Sequence, residues 1–190
     1  MSYATGCLEA AENIGKVLGG SYHLVRVIGE GGMGAVYEAE HIRLPRRFAV
    51  KLLRAEVGAD PVAIERFRRE ADIASSIGHE HIVDVVDFNV ASSGVPYMVL
   101  ELLEGEDLGT RIKRRGQMSP AELRPILDQV ADALEAAHGR GVIHRDLKPQ
   151  NIFLCRRGGR DDFVKILDFG ISKIVHSPSV VTQAGTVFGT

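Results

Sequence analysis

The chain has 190 residues, 45% hydrophobic and 25% charged, which is enough apolar material for a packed core. Its 23 basic and 25 acidic residues leave a formal charge of -2, which argues against non-specific nucleic-acid binding as its main task. The two cysteines, Cys7 and Cys155, form no C-x-x-C pair, so the sequence predicts neither a disulfide framework nor a zinc site and points to a reducing, cytoplasmic compartment.

Residues 1–21 read as a short leader. They lack a basic segment followed by an apolar one, so "ATGC" before Leu8 resembles a lipoprotein cleavage site only superficially. From Tyr22 to Val50 the pattern is β: "YHLVRVIG", "AVYEAEH" and "RRFAVKLL" are rich in β-branched and aromatic residues and separated by glycine or "RLPR", as in an antiparallel meander. Between the first two strands Gly29, Gly31 and Gly34 form G-x-G-x-x-G, a spacing that brings backbone close to phosphate. A dinucleotide fold needs a helix directly after the third glycine. Here Ala35, Val36 and Tyr37 begin another strand, so the glycines belong to a hairpin able to cover a phosphate chain.

Next, "PVAIERFRREADIASSIG" predicts a helix with an apolar stripe of Val62, Phe67, Ala71, Ala74 and Ile77, closed by Gly78. Two strands follow, "IVDVVDFNV" and "PYMVLELL"; the apolar run around the second is too short to cross a bilayer and carries Glu101. A polar stretch, "EGEDLGTRIKRRGQM", leads to a longer helix. Ser119, Pro120 and Glu122 form its capping box, and its stripe is read as Leu123, Ile126, Leu127, Val130, Leu134 and Ala137. Pro125 removes one hydrogen bond near its start. After Gly141 come short strands and loops: "VIHRDLKPQNIFL", the charged turn "CRRGGRDD" and "FVKILDFG".

Chemistry concentrates in three places. "HRDLKPQN", His144 to Asn151, offers a carboxylate (Asp146), an ammonium (Lys148) and an amide oxygen (Asn151), with Pro149 stiffening the loop. Phosphoryl transfer needs such a set, to receive a hydroxyl proton, offset charge on phosphate and hold a metal through oxygen. Seventeen residues past Asn151, Asp168 opens "DFG" at a strand end, where a carboxylate suits Mg²⁺. Lys51 ends "FAVK" on the third strand, and Glu70 lies nineteen residues on, within the first helix, as a candidate partner. Its competing partner is a local arginine on the same helix. His79 and His81 have no further cysteine or histidine cluster nearby, and "RIKRRG" from Arg111 reads as a solvated helix end.

With these motifs the sequence resembles the serine/threonine protein kinases that bacteria share with eukaryotes, from about Tyr22 to Thr190. The resemblance implies an α+β, protein-kinase-like two-lobe fold: an antiparallel β N-lobe with one helix over 22–100, a hinge over 101–106, and an incomplete helical C-lobe over 107–190. It implies a nucleotide lid from Ile28, Gly29, Glu30, Gly31, Gly32, Met33, Gly34, Ala35 and Val36. Ala49 and Leu103 would touch adenine, with the Glu101 carbonyl and Leu103 amide as hinge groups, Leu100 as gatekeeper and Asp107 near the ribose. Lys51 with Glu70 would form the ion pair, Asp146 the catalytic base, Lys148 the cation on the transferring phosphate, and Asn151 and Asp168 the Mg²⁺ ligands. "FAVK" stands where "VAIK" is commoner, a change at apolar positions alone.

ATP and Mg²⁺ are the implied cofactors, and proteins bearing Ser or Thr the implied partners; Lys148 favours these over tyrosine. Arg145 resembles the arginine that grips a phosphorylated activation loop, for which Thr182 and Thr186 are the leading acceptors, ahead of Ser177 and Ser179. Thr190 resembles the threonine that contacts the base. The family continues beyond "GTVFGT" with further C-lobe helices, so residues 1–190 alone are expected to be a poor kinase that aggregates, dimerises through the stripe of the second helix or has a mobile C-terminal lobe. Three rivals stand beside this reading. A silent kinase-like scaffold usually loses a residue equivalent to Lys51, Asp146 or Asp168, all present here. A small-molecule phosphotransferase usually departs from "HRDLKPQN" and "GEGGMGAVY". A dinucleotide oxidoreductase is weakened by the strand that follows Gly34.

Overall fold

The computed structural model describes residues 10–169, which form two antiparallel sheets and the helices packed on them. The first sheet has six strands in the order β1-β2-β3-β4-β6-β5: β1 (Val17–Leu18), β2 (Tyr22–Glu30), β3 (Gly34–His41), β4 (Arg47–Leu53), β5 (Val85–Val90) and β6 (Pro96–Glu101). The meander expected from the alternating apolar residues is present, with β2 on β3 and β3 on β4. Alternation also divides the side chains between two faces. Tyr37, Val50, Leu52, Tyr97 and Val99 enter one core with Leu24, while Leu53 and Met98 turn to the other face and meet the helix.

Helix α1 (Ala55–Gly58), a single turn the sequence pattern did not reveal, leads into α2 (Pro61–Ile77). The Asp60 side chain accepts from the Val62 amide at the start of α2, and Gly78 ends it in the left-handed conformation, φ 56°, which glycine adopts without strain. Four of the five stripe residues, Phe67, Ala71, Ala74 and Ile77, are buried as expected. Val62, in the first turn, is 48% exposed and lies outside the buried stripe.

The polar stretch after β6 holds two elements the sequence reading left as a connection: β7 (Gly105–Asp107) and α3 (Leu108–Arg115). Asp107 caps α3 through the Thr110 amide, and basic residues fill its last turn, favourable at a helix C-terminus. Helix α4 (Pro120–His138) opens with the full reciprocal capping box of Ser119 and Glu122, worth about 1 kcal/mol. Its buried residues are Ile126, Val130, Ala133 and Ala137, whereas Leu127 is 53% exposed; the stripe is narrower than its apolar letters suggest. The Pro125 carbonyl accepts from the Gln129 side-chain amide at 2.8 Å, one helical turn on. The second sheet pairs β7 with β8 (Ile152–Arg157) and β8 with β9 (Arg160–Ile166), and its Ile152, Leu154, Val164 and Ile166 pack on α4 in a second core.

Among the described residues no helix is long and apolar enough to cross a membrane. Cys155 is free and buried, and burial pushes its thiol up to about 11.

Candidate active site

Strand alternation places Lys51. Val50 and Leu52 are committed to the core, so Ala49 and Lys51 face the opposite side, where α2 crosses with Glu70 on its inner flank. Lys51 Nζ donates to Glu70 Oε1 at 2.8 Å and to Asp168 Oδ1 at 2.7 Å, with the Phe67 ring 5.9 Å away. One ammonium thus joins β4, α2 and the segment after β9. The local-arginine alternative for Glu70 gives way to this long-range pair.

The charges in this triad are uneven. Burial opposes the Lys51 charge, but the Asp168 and Glu70 carboxylates outweigh it and hold the ammonium above its ordinary value. Burial likewise opposes ionisation of Asp168, yet Lys51 pulls that carboxyl below its ordinary value. Glu70 takes the remaining cost: burial, with the nearby Asp168 charge, pushes it up to about 7 in spite of Lys51. Two buried carboxyls share one cation, and Glu70 is the weaker acid.

Beside the triad lies a cleft of about 420 Å³. Of the residues expected at a nucleotide, Ile28, Gly29, Val36, Ala49, Lys51, Leu100, Glu101 and Leu103 line it, together with Glu70 and Asp168. Glu30 and Ala35 line a cavity on the far side of the sheet, because alternation turns them away from Gly29 and Val36; towards the cleft they offer backbone only. Gly31, Gly32 and Met33 form the turn between β2 and β3, closed by the Gly31 amide on the Gly34 carbonyl at 2.9 Å. Added Cβ atoms at Gly31 and Gly32 would meet nothing within 4 Å, whereas at Gly34 one would lie 2.1 Å from the Leu52 carbonyl oxygen. Gly34 is therefore required by strand packing, and Gly31 and Gly32 leave open space at the turn. The Asp107 carboxylate is occupied at α3, accepting from the Thr110 amide and hydroxyl, and is not among the cleft-lining residues.

The second cluster follows α4. Lys148 Nζ donates to Asp146 Oδ2 at 2.8 Å, and Asn151 Nδ2 donates to the Asp146 carbonyl at 2.9 Å. With its nitrogen so engaged, Asn151 retains its amide oxygen as the atom of metal-ligand character. The Leu167 amide donates to the Asn151 carbonyl at 2.9 Å, which holds Asn151 one residue from Asp168. Thus the backbone holds Asn151 beside the segment that carries Asp168, and an amide oxygen and a carboxylate are hard donors of the kind that suits Mg²⁺ when phosphate and water complete the shell. Among the described residues no group of three or more His, Cys, Asp or Glu is placed to hold a metal by itself.

His144, whose role the sequence reading left unassigned, organises this region. It is buried against Phe169, ring centroids 4.8 Å apart; its Nδ1 accepts from the Asp146 amide at 3.3 Å and its Nε2 lies 3.0 Å from the Leu167 carbonyl. The neutral Nε2–H tautomer serves both contacts, and burial lowers the pKa to keep it neutral. Arg145 and Asp168 are the two described non-glycine residues with positive φ, 62° and 44°, and both adjoin this network. Such backbone is costly unless its surroundings enforce it, and it concentrates at functional sites. Arg145 is exposed beside Asp146. Thr182, Thr186, Ser177, Ser179 and Thr190 lie outside the described residues, as does Gly170. Met98, Val85, Phe153 and Leu167 also line the cleft; their letters read only as core, since tertiary packing alone turns them towards it.

A glycine hairpin over a cleft, a lysine shared by a helix glutamate and a post-strand aspartate, and a neighbouring Asp-Lys-Asn loop define one class of protein: the chain belongs to the protein kinase family, whose domain it matches over residues 22–188. It is 44% identical over 183 residues to serine/threonine-protein kinase Pkn1 of Myxococcus xanthus, an alignment covering 96% of this chain and 26% of that protein. To serine/threonine-protein kinase PknH of Mycobacterium tuberculosis it is 45% identical over 171 residues, 90% of this chain and 26% of that one. The crystal structure of the M. tuberculosis PknI kinase domain matches with a TM-score of 0.69 at 32% identity, covering 84% of this chain and 61% of that domain. The chain spans about a quarter of the length of these curated relatives.

Proposed function

We propose that the protein transfers the terminal phosphoryl group of Mg-ATP to serine or threonine hydroxyls of proteins. The observation that carries this is the double engagement of Lys51 by Glu70 and Asp168 at the floor of the cleft. Glu70 aims the ammonium, which is then placed for the phosphates, while Asp168 and Asn151 offer the oxygens for Mg²⁺. Bound there, Mg²⁺ would offset phosphate charge. The hairpin of Gly31 and Gly32 covers the phosphates with backbone, and Glu101 and Leu103 meet adenine through main-chain groups.

Asp146 is the base. Its Oδ2 accepts from Lys148 in this structure, so the same lysine lies within reach of a phosphate facing the base and can offset its charge. Arg145, exposed next to Asp146, is the cation assigned to a phosphorylated Thr182 or Thr186 in this reading. All three relatives above carry names or titles of kinases, and two are named serine/threonine kinases.

The test uses the protein expressed from its natural coding sequence, with labelled ATP and a generic protein substrate. Asp146→Asn should bind Mg-ATP normally and lose transfer by at least a hundredfold, about 2.7 kcal/mol in barrier. Lys51→Met should lose transfer as well. Turnover of Asp146→Asn within about threefold of wild type, under 1 kcal/mol, would refute the assignment of the base.

A further inference from the structure

The proposed chemistry leaves one buried ammonium unused. On β9, Val164 and Ile166 point into the second core, so Lys165 between them points the other way, to the back of the segment that links the two sheets. Its side chain is 9% exposed. Lys165 Nζ donates to Glu101 Oε1 at 2.5 Å and to the Ile82 carbonyl at 3.1 Å, and the same Glu101 oxygen accepts from the Asp84 amide at 2.8 Å. Glu101 thus has two separate duties. Its main chain borders the front cleft, and its side chain reaches into a second cavity of about 770 Å³ behind the linking segment.

Residues 102–104 form neither helix nor strand, so they have no ladder of their own to hold them. They are anchored at the ends: Glu101 by Lys165 and the Asp84 amide, Glu104 by Arg47 at 3.3 Å and, through its carbonyl, by the Arg156 amide at 2.9 Å. The Glu104 pair with Arg47 is exposed and weak, whereas the Lys165 pair is largely enclosed. Three residues beyond Lys165 stands Asp168. Around the latch, the Ile166 amide donates to the His81 carbonyl at 2.8 Å and the Val83 amide to the Ile166 carbonyl at 3.0 Å, so the latch strand and the loop after α2 are one hydrogen-bonded unit.

Resting on the function proposed above, we infer that Lys165 is a positioning residue for adenine: by holding the Glu101 carboxylate from behind, it fixes the main chain of residues 101–103 that meets the base in front. Removing the ammonium leaves the Glu101 carboxylate on the Asp84 amide alone and loosens residues 102–103, which follow the end of the β6 ladder. Recognition of the base then suffers, and recognition of the phosphates, which rests on Lys51 and the glycine hairpin, does not. A lysine with a merely structural role would weaken both together or neither.

Calorimetric titration of the protein with Mg-ATP, adenosine and Mg-tripolyphosphate separates these contributions. Lys165→Met should raise the Kd for Mg-ATP and for adenosine at least fivefold and leave tripolyphosphate within twofold of wild type. Lys165→Arg, which keeps the charge, should restore most of the loss, and Glu101→Gln in the Lys165→Met background should add less than twofold. Should Lys165→Met not fold, Glu101→Gln alone carries the test, with a smaller loss of the same adenosine-selective kind. Unchanged adenosine affinity, or equal weakening of adenosine and tripolyphosphate, overturns the latch. Wild-type protein that binds no Mg-ATP overturns the proposed function, and the latch with it; wild-type binding with an indifferent Lys165→Met overturns the latch alone.

Discussion

Replacing Asp168 with asparagine tests the electrostatics of the Lys51 triad directly. Both carboxylates touch one nitrogen, at 2.8 and 2.7 Å, so their bonded oxygens are at most about 5.5 Å apart. At that separation two unit charges repel by about 3 kcal/mol for an effective dielectric of about 20, or about two pK units. Glu70, pushed up to about 7 by burial and by Asp168, should therefore titrate near pH 5 in Asp168→Asn, where Lys51 has Glu70 as its remaining carboxylate partner in the triad. The sign for stability follows. Because the folded-state value lies above the ordinary 4.5, folded Glu70 holds its proton longer than the unfolded chain does, so its contribution is present below about pH 4.5 and lost as pH rises through about 7. Asp168, depressed by Lys51, runs the other way and stabilises at higher pH, which makes the wild-type profile the difference of the two. Carbon-13 NMR of the glutamate carboxyls across pH 4–8, together with urea unfolding of both proteins, reads each part. A Glu70 midpoint in Asp168→Asn within about half a unit of wild type would show that the second carboxylate is not what raises it.

Two further predictions concern the lid and the activation segment. Gly34→Ala should destabilise the protein by about 2–3 kcal/mol in urea unfolding, because its Cβ would lie 2.1 Å from the Leu52 carbonyl and force β3 off β4, whereas Gly32→Ala, with nothing within 4 Å, should stay within about 0.5 kcal/mol. Active protein incubated with Mg-ATP should carry phosphate on Thr182 or Thr186 by mass spectrometry, and Arg145→Ala should reduce the activity gained from it; unmodified threonines in a preparation that phosphorylates other proteins would count against self-regulation.

Local physical chemistry made much of this protein legible in its sequence. Alternating apolar residues set the meander, Ser119 and Glu122 set the start of α4, and a strand following Gly34 separated a phosphate-covering hairpin from a dinucleotide fold. Lys51, Glu70, Asp146, Lys148, Asn151 and Asp168 were nameable because the chemistry needs those groups and the motifs keep them at short, recognisable spacings. What the letters could not state was which groups share a partner. That Lys51 serves two carboxylates at once depends on a contact across 117 positions, and the raised Glu70 and lowered Asp168 follow from burial and from the charges and hydrogen bonds the two carboxyls and Lys51 exchange. Nor could periodicity tell that Leu127 stays exposed or that Asp107 caps a helix, since an apolar or acidic letter carries no record of what the neighbouring element covers. Lys165 is the sharpest case: no motif marks it, and packing of the loop after α2 against β9 and β6 makes it a buried partner of Glu101. Short-range spacing determines the inventory of reactive groups, while burial and long-range contact decide their charge, direction and division of labour, because desolvation and Coulomb energy depend on distances that only the folded chain defines.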